Sequence, residues 1–240
     1  MYVTRIFNGL PYQAFIPRPV VPPIGIDHIH RFREIDSWLK RTLDKNQFAE
    51  DAPCIIAKMD RRITSPEPFL CAEKAVSFAL SSRSFGCKQV KRANAILTGA
   101  PSANFRPGPG WVGAPHPSMA WHVGSPPENI EQLMQAVIQP LDKELPASLI
   151  ATIRLFRILQ IHPFGDGNGR IARLTALRTI HERIGPATGY LWLIDRLWNR
   201  SKSNISTISL DSQKSENLSD AFDHIWRITT KENSGFIKNH

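Results

Sequence analysis

Cysteine is scarce in this 240-residue chain, which has only Cys54, Cys71 and Cys87. An odd number at those spacings offers no metal-binding pattern and fits reduced thiols better than a disulfide framework. No apolar run is long enough to cross a bilayer. The stretch from Met1 to Pro23 lacks the pattern of a signal peptide, which makes the cytoplasm the expected location. Internal repeats are absent too. Acid is the minority charge: 21 Asp and Glu against 30 Lys and Arg give a formal net charge of +9 and a pI near 9.8. Those basic residues, such as Arg31, Arg33, Lys40, Arg61, Lys88 and Arg92, are scattered and carry no aromatic platform or DNA-binding motif. A solvated basic surface is therefore expected, and no specific nucleic-acid site.

What is present is mostly helical patterning. Ile29, Phe32, Ile35, Trp38 and Leu39 fall in helical register between His28 and Leu43, and Ala72–Leu80 and Val90–Leu97 read as further helices. Pro126-Pro127-Glu128 followed by Ile130, Leu133, Met134 and Val137 reads as a helix start. Leu149, Ile150, Ile153, Phe156 and Leu159 predict another helix, and Ile171, Leu174, Leu177 and Ile180 predict one more with a single apolar face. Residues 1–26, with five prolines, are expected to run extended over the surface. The span from Ala100 to Pro127 is a Gly- and Pro-rich loop. These features divide the chain into an N-terminal extension with an amphipathic helix (1–71), a core (72–200), and a Ser-rich linker with a short C-terminal helix (201–240). His28 with His30, and His116 with His122, have no acid or thiol at a metal spacing, so surface and loop positions are expected for them.

Between two of these helices lies Ile161-His162-Pro163-Phe164-Gly165-Asp166-Gly167-Asn168-Gly169-Arg170-Ile171-Ala172-Arg173. Gly167 and Gly169 permit a tight turn and close approach of a ligand, and Asn168 can cap the helix that follows. The unpaired N–H groups at that helix start form an anion site, to which Arg170 and Arg173 add charge suited to phosphate. Asp166, the one acid of the run, is the natural ligand for a Mg2+ that bridges phosphates. His162 can take a proton from a hydroxyl near neutral pH. Together the residues fit attack of a hydroxyl on a nucleotide phosphate.

The run resembles the signature of the Fic family, His-Pro-Phe-x-Asp/Glu-Gly-Asn-Gly-Arg-x-x-Arg, at every defined position. The resemblance implies a mostly α fold, a Fic-type helical bundle with a short β-hairpin flap over the active site. It implies a protein adenylyltransferase that moves AMP from ATP to a Ser, Thr or Tyr hydroxyl of a target protein. His162 would be the general base, Phe164 the anchor of the loop, and Asp166 the holder of Mg2+. Gly167, Asn168 and Gly169 would cradle the α and β phosphates, Arg170 would support the β phosphate, and Arg173 would hold the γ phosphate.

Phe105-Arg106 followed after four residues by Trp111-Val112-Gly113 is similar to the family's flap. The resemblance gives Phe105, Arg106, Trp111 and Val112 a part in target docking by strand addition. Pro107 and Pro109 remove backbone donors there. Ser212-x-x-x-Glu216-Asn217 matches the family's inhibitory pattern, in which Glu216 would pair with Arg173 and displace phosphate. A separate antitoxin-like inhibitor is the other source of restraint. The alternatives are a catalytically silent nucleotide-binding regulatory module, a Fic enzyme that transfers UMP or phosphocholine, or one that removes AMP. The target, and action as an effector sent into another cell, stay open on the residues alone.

Overall fold

The structure, a computed structural model, describes residues 1–17, 20–57, 67–199 and 218–236. Among them the chain forms nine helices: α1 (Ile26–Arg41), α2 (Lys45–Ala57), α3 (Glu67–Ser81), α4 (Cys87–Thr98), α5 (Pro127–Ile138), α6 (Ala147–Ile161), α7 (Asn168–Arg183), α8 (Thr188–Asn199) and α9 (Ser219–Phe236). The described residues are mostly α-helical, with two small two-stranded sheets. No helix of the described residues is long and apolar enough to cross a membrane.

Helices α6 and α7 form the centre, packed against each other. Every residue of α6 is buried except Arg154 and Leu159. In α7 everything from Ile171 to Ile180 is buried, so the helix is covered all round and not on the one face its apolar spacing predicts. Its buried threonines and arginines find partners in two ways. Thr175 and Thr179 turn their hydroxyls back onto the carbonyls of Ile171 and Thr175, both at 2.8 Å. Arg173 and Arg178 reach the ends of neighbouring helices.

That second device recurs. The last carbonyls of a helix lack intrahelical donors and carry the negative end of its dipole, so a guanidinium suits them. Arg173 donates to Ile56 at the end of α2 (2.6 Å) and Arg178 to Leu80 at the end of α3 (2.8 Å). Arg170 donates to Leu97 at the end of α4 (2.6 Å), and Arg154 to Val137 and Ile138 at the end of α5 (3.3 and 3.1 Å). Arg106 does the same for α6, donating to the Ile161 carbonyl at 3.3 Å. Part of the basic excess is thus internal and closes helix ends.

Residues 1–26 depart from the extended course expected of them. Strands β1 (Tyr2–Phe7) and β2 (Leu10–Phe15) pair antiparallel, with Tyr2 opposite Phe15 and Phe7 opposite Leu10. The two-residue turn is Asn8-Gly9, both at positive φ (48° and 78°), as the favoured hairpin turn requires. A second small sheet pairs β3 (Trp111–Val112) with β4 (His122–Val123). The first hairpin supports the second: the Phe7 ring lies 5.2 Å from that of Trp111, and Tyr12, Ala14 and Val123 share a small apolar cluster.

Candidate functional site

The turn from α6 to α7 begins where α6 stops at His162, in the left-handed region at φ 52° and ψ 59°. It ends at Gly167, also left-handed at φ 82°, which is the N-cap of α7. Helix α7 therefore begins with Asn168, and no side chain caps it, a correction to the expectation that Asn168 would. Asn168 points inward instead. Its amide accepts from the Phe164 N–H (2.9 Å) and donates to the Phe164 carbonyl (2.8 Å), closing the loop on itself from a buried position. Phe164 is 2% exposed, and its ring meets that of Phe105 at 5.3 Å.

Asn94, buried on α4, donates to the Asp166 carbonyl at 3.1 Å. A Cβ at Gly167 would come within 2.6 Å of its Nδ2, so only glycine fits where the turn bears on α4. Asn94 was not among the expected site residues. Its signal in the sequence was a polar residue beside the apolar positions Val90 and Leu97 of a helix.

With the N-terminus of α7 uncapped, the amides of its first turn converge on an edge shared with Arg170 and Asp166. Asp166 is exposed. Its Oδ1 accepts the Gly167 N–H at 2.7 Å and its Oδ2 lies 2.9 Å from the Arg170 guanidinium. The site thus offers fixed donors, one cation and one accessible carboxylate.

Arg173 lies one turn deeper, 1% exposed. Burial and nearby Arg170 push its pKa down to about 9, while Asp195 opposes the shift. Its guanidinium is held against the end of α2, away from the open edge.

His162 keeps part of its surface accessible. Burial, then His122 and Arg106, pushes its pKa down from 6.5 to about 3, against a hydrogen bond to the Leu159 backbone that works the other way. The imidazole is therefore neutral across the physiological range. One ring N–H is given to Leu159, which leaves the other nitrogen as an acceptor. The His122 ring meets it edge-on, with centroids 5.6 Å apart. His116 instead bonds the Phe7 carbonyl at 3.1 Å. Among the described residues no group of three or more His, Cys, Asp or Glu is placed to hold a metal ion. A cation at Asp166 would have to take its remaining ligands from a substrate and water, as Mg2+ commonly does.

The four flap residues divide. Trp111 and Val112 form β3, with the Trp111 indole N–H donated to the Ala114 carbonyl at 2.9 Å. Phe105 and Arg106 lie beneath, against the turn. Lys91 sits 4.3 Å from the centre of the Phe105 ring, and Arg106 is 7% exposed. Ser212 and Glu216 lie outside the described residues.

Two comparisons with known proteins bear on the family and the fold. Residues 86–180 match the Fic/DOC family. The fold is similar to that of a Fic family protein from Desulfovibrio desulfuricans G20, with a TM-score of 0.65 at 13% identity, over 92% of this chain and 78% of that one.

Proposed function

We propose that this chain, a Fic family protein through its residues 86–180, is a Fic-type enzyme that transfers AMP from ATP to a Ser, Thr or Tyr hydroxyl of a target protein. The observation that carries the reading is one juxtaposition: a neutral imidazole with an acceptor nitrogen stands six residues before an uncapped helix N-terminus flanked by Arg170 and Asp166.

The roles follow from charge and placement. His162 accepts the proton of the target hydroxyl as its oxygen attacks the α phosphorus and the bond to the β phosphate breaks, releasing pyrophosphate. A group with a pKa near 3 is a weak base by itself. The negative charge of a nucleotide drawn to the α7 amides raises its affinity for a proton, so the base strengthens when substrate is bound. Amides of Asn168 and Gly169, with the Arg170 guanidinium, offset charge that builds on the phosphate oxygens. Asp166 is the carboxylate that would hold Mg2+, whose chemistry there is to neutralise phosphate charge. Trp111 and Val112 offer the strand along which a target segment lies.

The burial of Arg173 favours one second reading, a nucleotide-binding module that transfers nothing because its γ-phosphate contact is closed. Incubation with Mg2+ and ATP labelled at the α or the γ phosphate, in the presence of a cell lysate, tests both. Protein labelled from the α position alone is the result expected. Label from the γ position alone replaces AMP transfer by phosphotransfer. Nucleotide binding without label from either position supports the silent module.

A further inference from the structure

The structure assigns Arg106 as a positioning residue for His162: its guanidinium holds the peptide of the base and ties that peptide to the hairpin above it. The inference rests on the reading of His162 as the base and extends it to a residue outside the motif.

His162 occupies a backbone state that is unfavourable twice over. A Cβ in the left-handed region crowds the neighbouring carbonyl, and a residue before proline is steered toward extended backbone. His162 has φ 52° and is followed by Pro163. Such a conformation persists only where neighbours over-determine it. Here the neighbours come from the hairpin. Arg106 Nε donates to the His162 carbonyl at 2.6 Å, Nη2 donates to Ile161 at 3.3 Å, and the Arg106 backbone N–H donates to Pro163 at 2.9 Å. Three successive carbonyls around the base thus accept from a single residue. The same guanidinium also donates to Gly108 and Ser125, which begin and end the hairpin. The Ser125 N–H returns to the Ile161 carbonyl at 3.0 Å.

A slot is built for this side chain. A Cβ at Gly110 would lie 2.5 Å from Arg106 Nε. One at Gly124 would lie 2.7 Å from the His162 Cβ and 2.8 Å from both Arg106 Nη2 and the Ile161 carbonyl. Two glycines, joined by a bond from the Gly124 N–H to the Gly110 carbonyl at 2.9 Å, sandwich the guanidinium between backbone segments. Lysine offers one compact donor group where four carbonyl acceptors surround the guanidinium fork. Any shift of the hairpin on target docking is therefore passed to the base through one rigid plane.

The test compares wild type, Arg106→Gln and Arg106→Lys, using imidazole 15N NMR of the full chain between pH 5 and 8 with His162→Asn to assign the signals. In wild type His162 is expected as a neutral, single tautomer. In Arg106→Gln it is expected to average between tautomers, because the anchor on its backbone carbonyl is gone. AMP transfer from ATP is expected to fall on the order of 100-fold in kcat, the scale of a displacement of about 1 Å, with the KM for ATP within about threefold. Arg106→Lys should recover part of the kcat. If Arg106→Gln does not fold, Arg106→Lys carries the same reading, with smaller shifts. Unchanged His162 signals in a folded variant would overturn the assignment, as would a loss confined to KM. Absence of transfer in wild type would count against the AMP-transfer reading alone, since the NMR comparison does not depend on activity.

Discussion

In the α6–α7 turn, Asn168 bonds Phe164 four residues back and Asp166 bonds the next amide. In the hairpin above it, Arg106 bonds carbonyls 55 and 56 residues away, and Phe7 packs on Trp111 from the other end of the chain. The turn is closed largely by its own residues, with Asn94 and Arg106 reaching it from outside, whereas the hairpin, beyond its own strand pair, is fixed by distant residues. Chemistry whose groups must stand within a few ångströms is thus built on a local loop. What governs that loop's backbone arrives through the tertiary fold.

Breaking the local closure has the largest effect. Asn168→Ala leaves the buried Phe164 N–H and carbonyl without partners. It is expected to cost about 2–4 kcal/mol, a fall in Tm of about 5–10 °C, and nucleotide binding should weaken with it. Calorimetry of the full chain checks this. A Tm within about 1 °C of wild type would mean that the turn is held from outside, as the hairpin is.

The second prediction sharpens the comparison through pH. An unfolded chain protonates its histidines near pH 6.5, whereas folded His162 stays neutral until about pH 3, and His181 and His224 are likewise lowered by burial. Between those values the unfolded state binds more protons. Stability is then full above about pH 6.5 and falls as pH drops toward 3. His162→Asn should flatten the decline of Tm from pH 7.5 to 5. An unaltered slope would place the acid sensitivity elsewhere.

The smallest expected effect tests the distant support. Phe7→Ala removes the ring against Trp111 and should cost about 1 kcal/mol, with little change in nucleotide binding but a raised KM for the target protein. Equal losses in both would show that the two regions are not separately held.

The same contrast decides what was legible in the sequence. The turn could be read because His162, Asp166, Gly167 and Arg170 are contiguous and their spacing sets their geometry. The helices around it follow from apolar periodicity. Arg106 looked like part of a docking surface because nothing local shows that residue 106 lies under the hairpin. Arg173 sits three residues after Arg170 and looked equally available, but it falls one turn deeper, where the end of α2 covers it. Asn8-Gly9 did carry a hairpin signal, masked by the prolines that follow. The charge excess pointed to a surface, yet several of its arginines close helix ends inside the molecule.

The central claim is that His162 moves a proton while the α7 N-terminus holds the nucleotide. Intact-mass spectrometry of the purified chain and of captured lysate proteins, after incubation with ATP and Mg2+, tests it most directly beside His162→Ala, with ATP affinity measured separately. The account predicts a mass gain of one AMP in wild type. In His162→Ala that gain is reduced by about 100-fold or more, with ATP affinity retained. Equal mass gain in both proteins would contradict it.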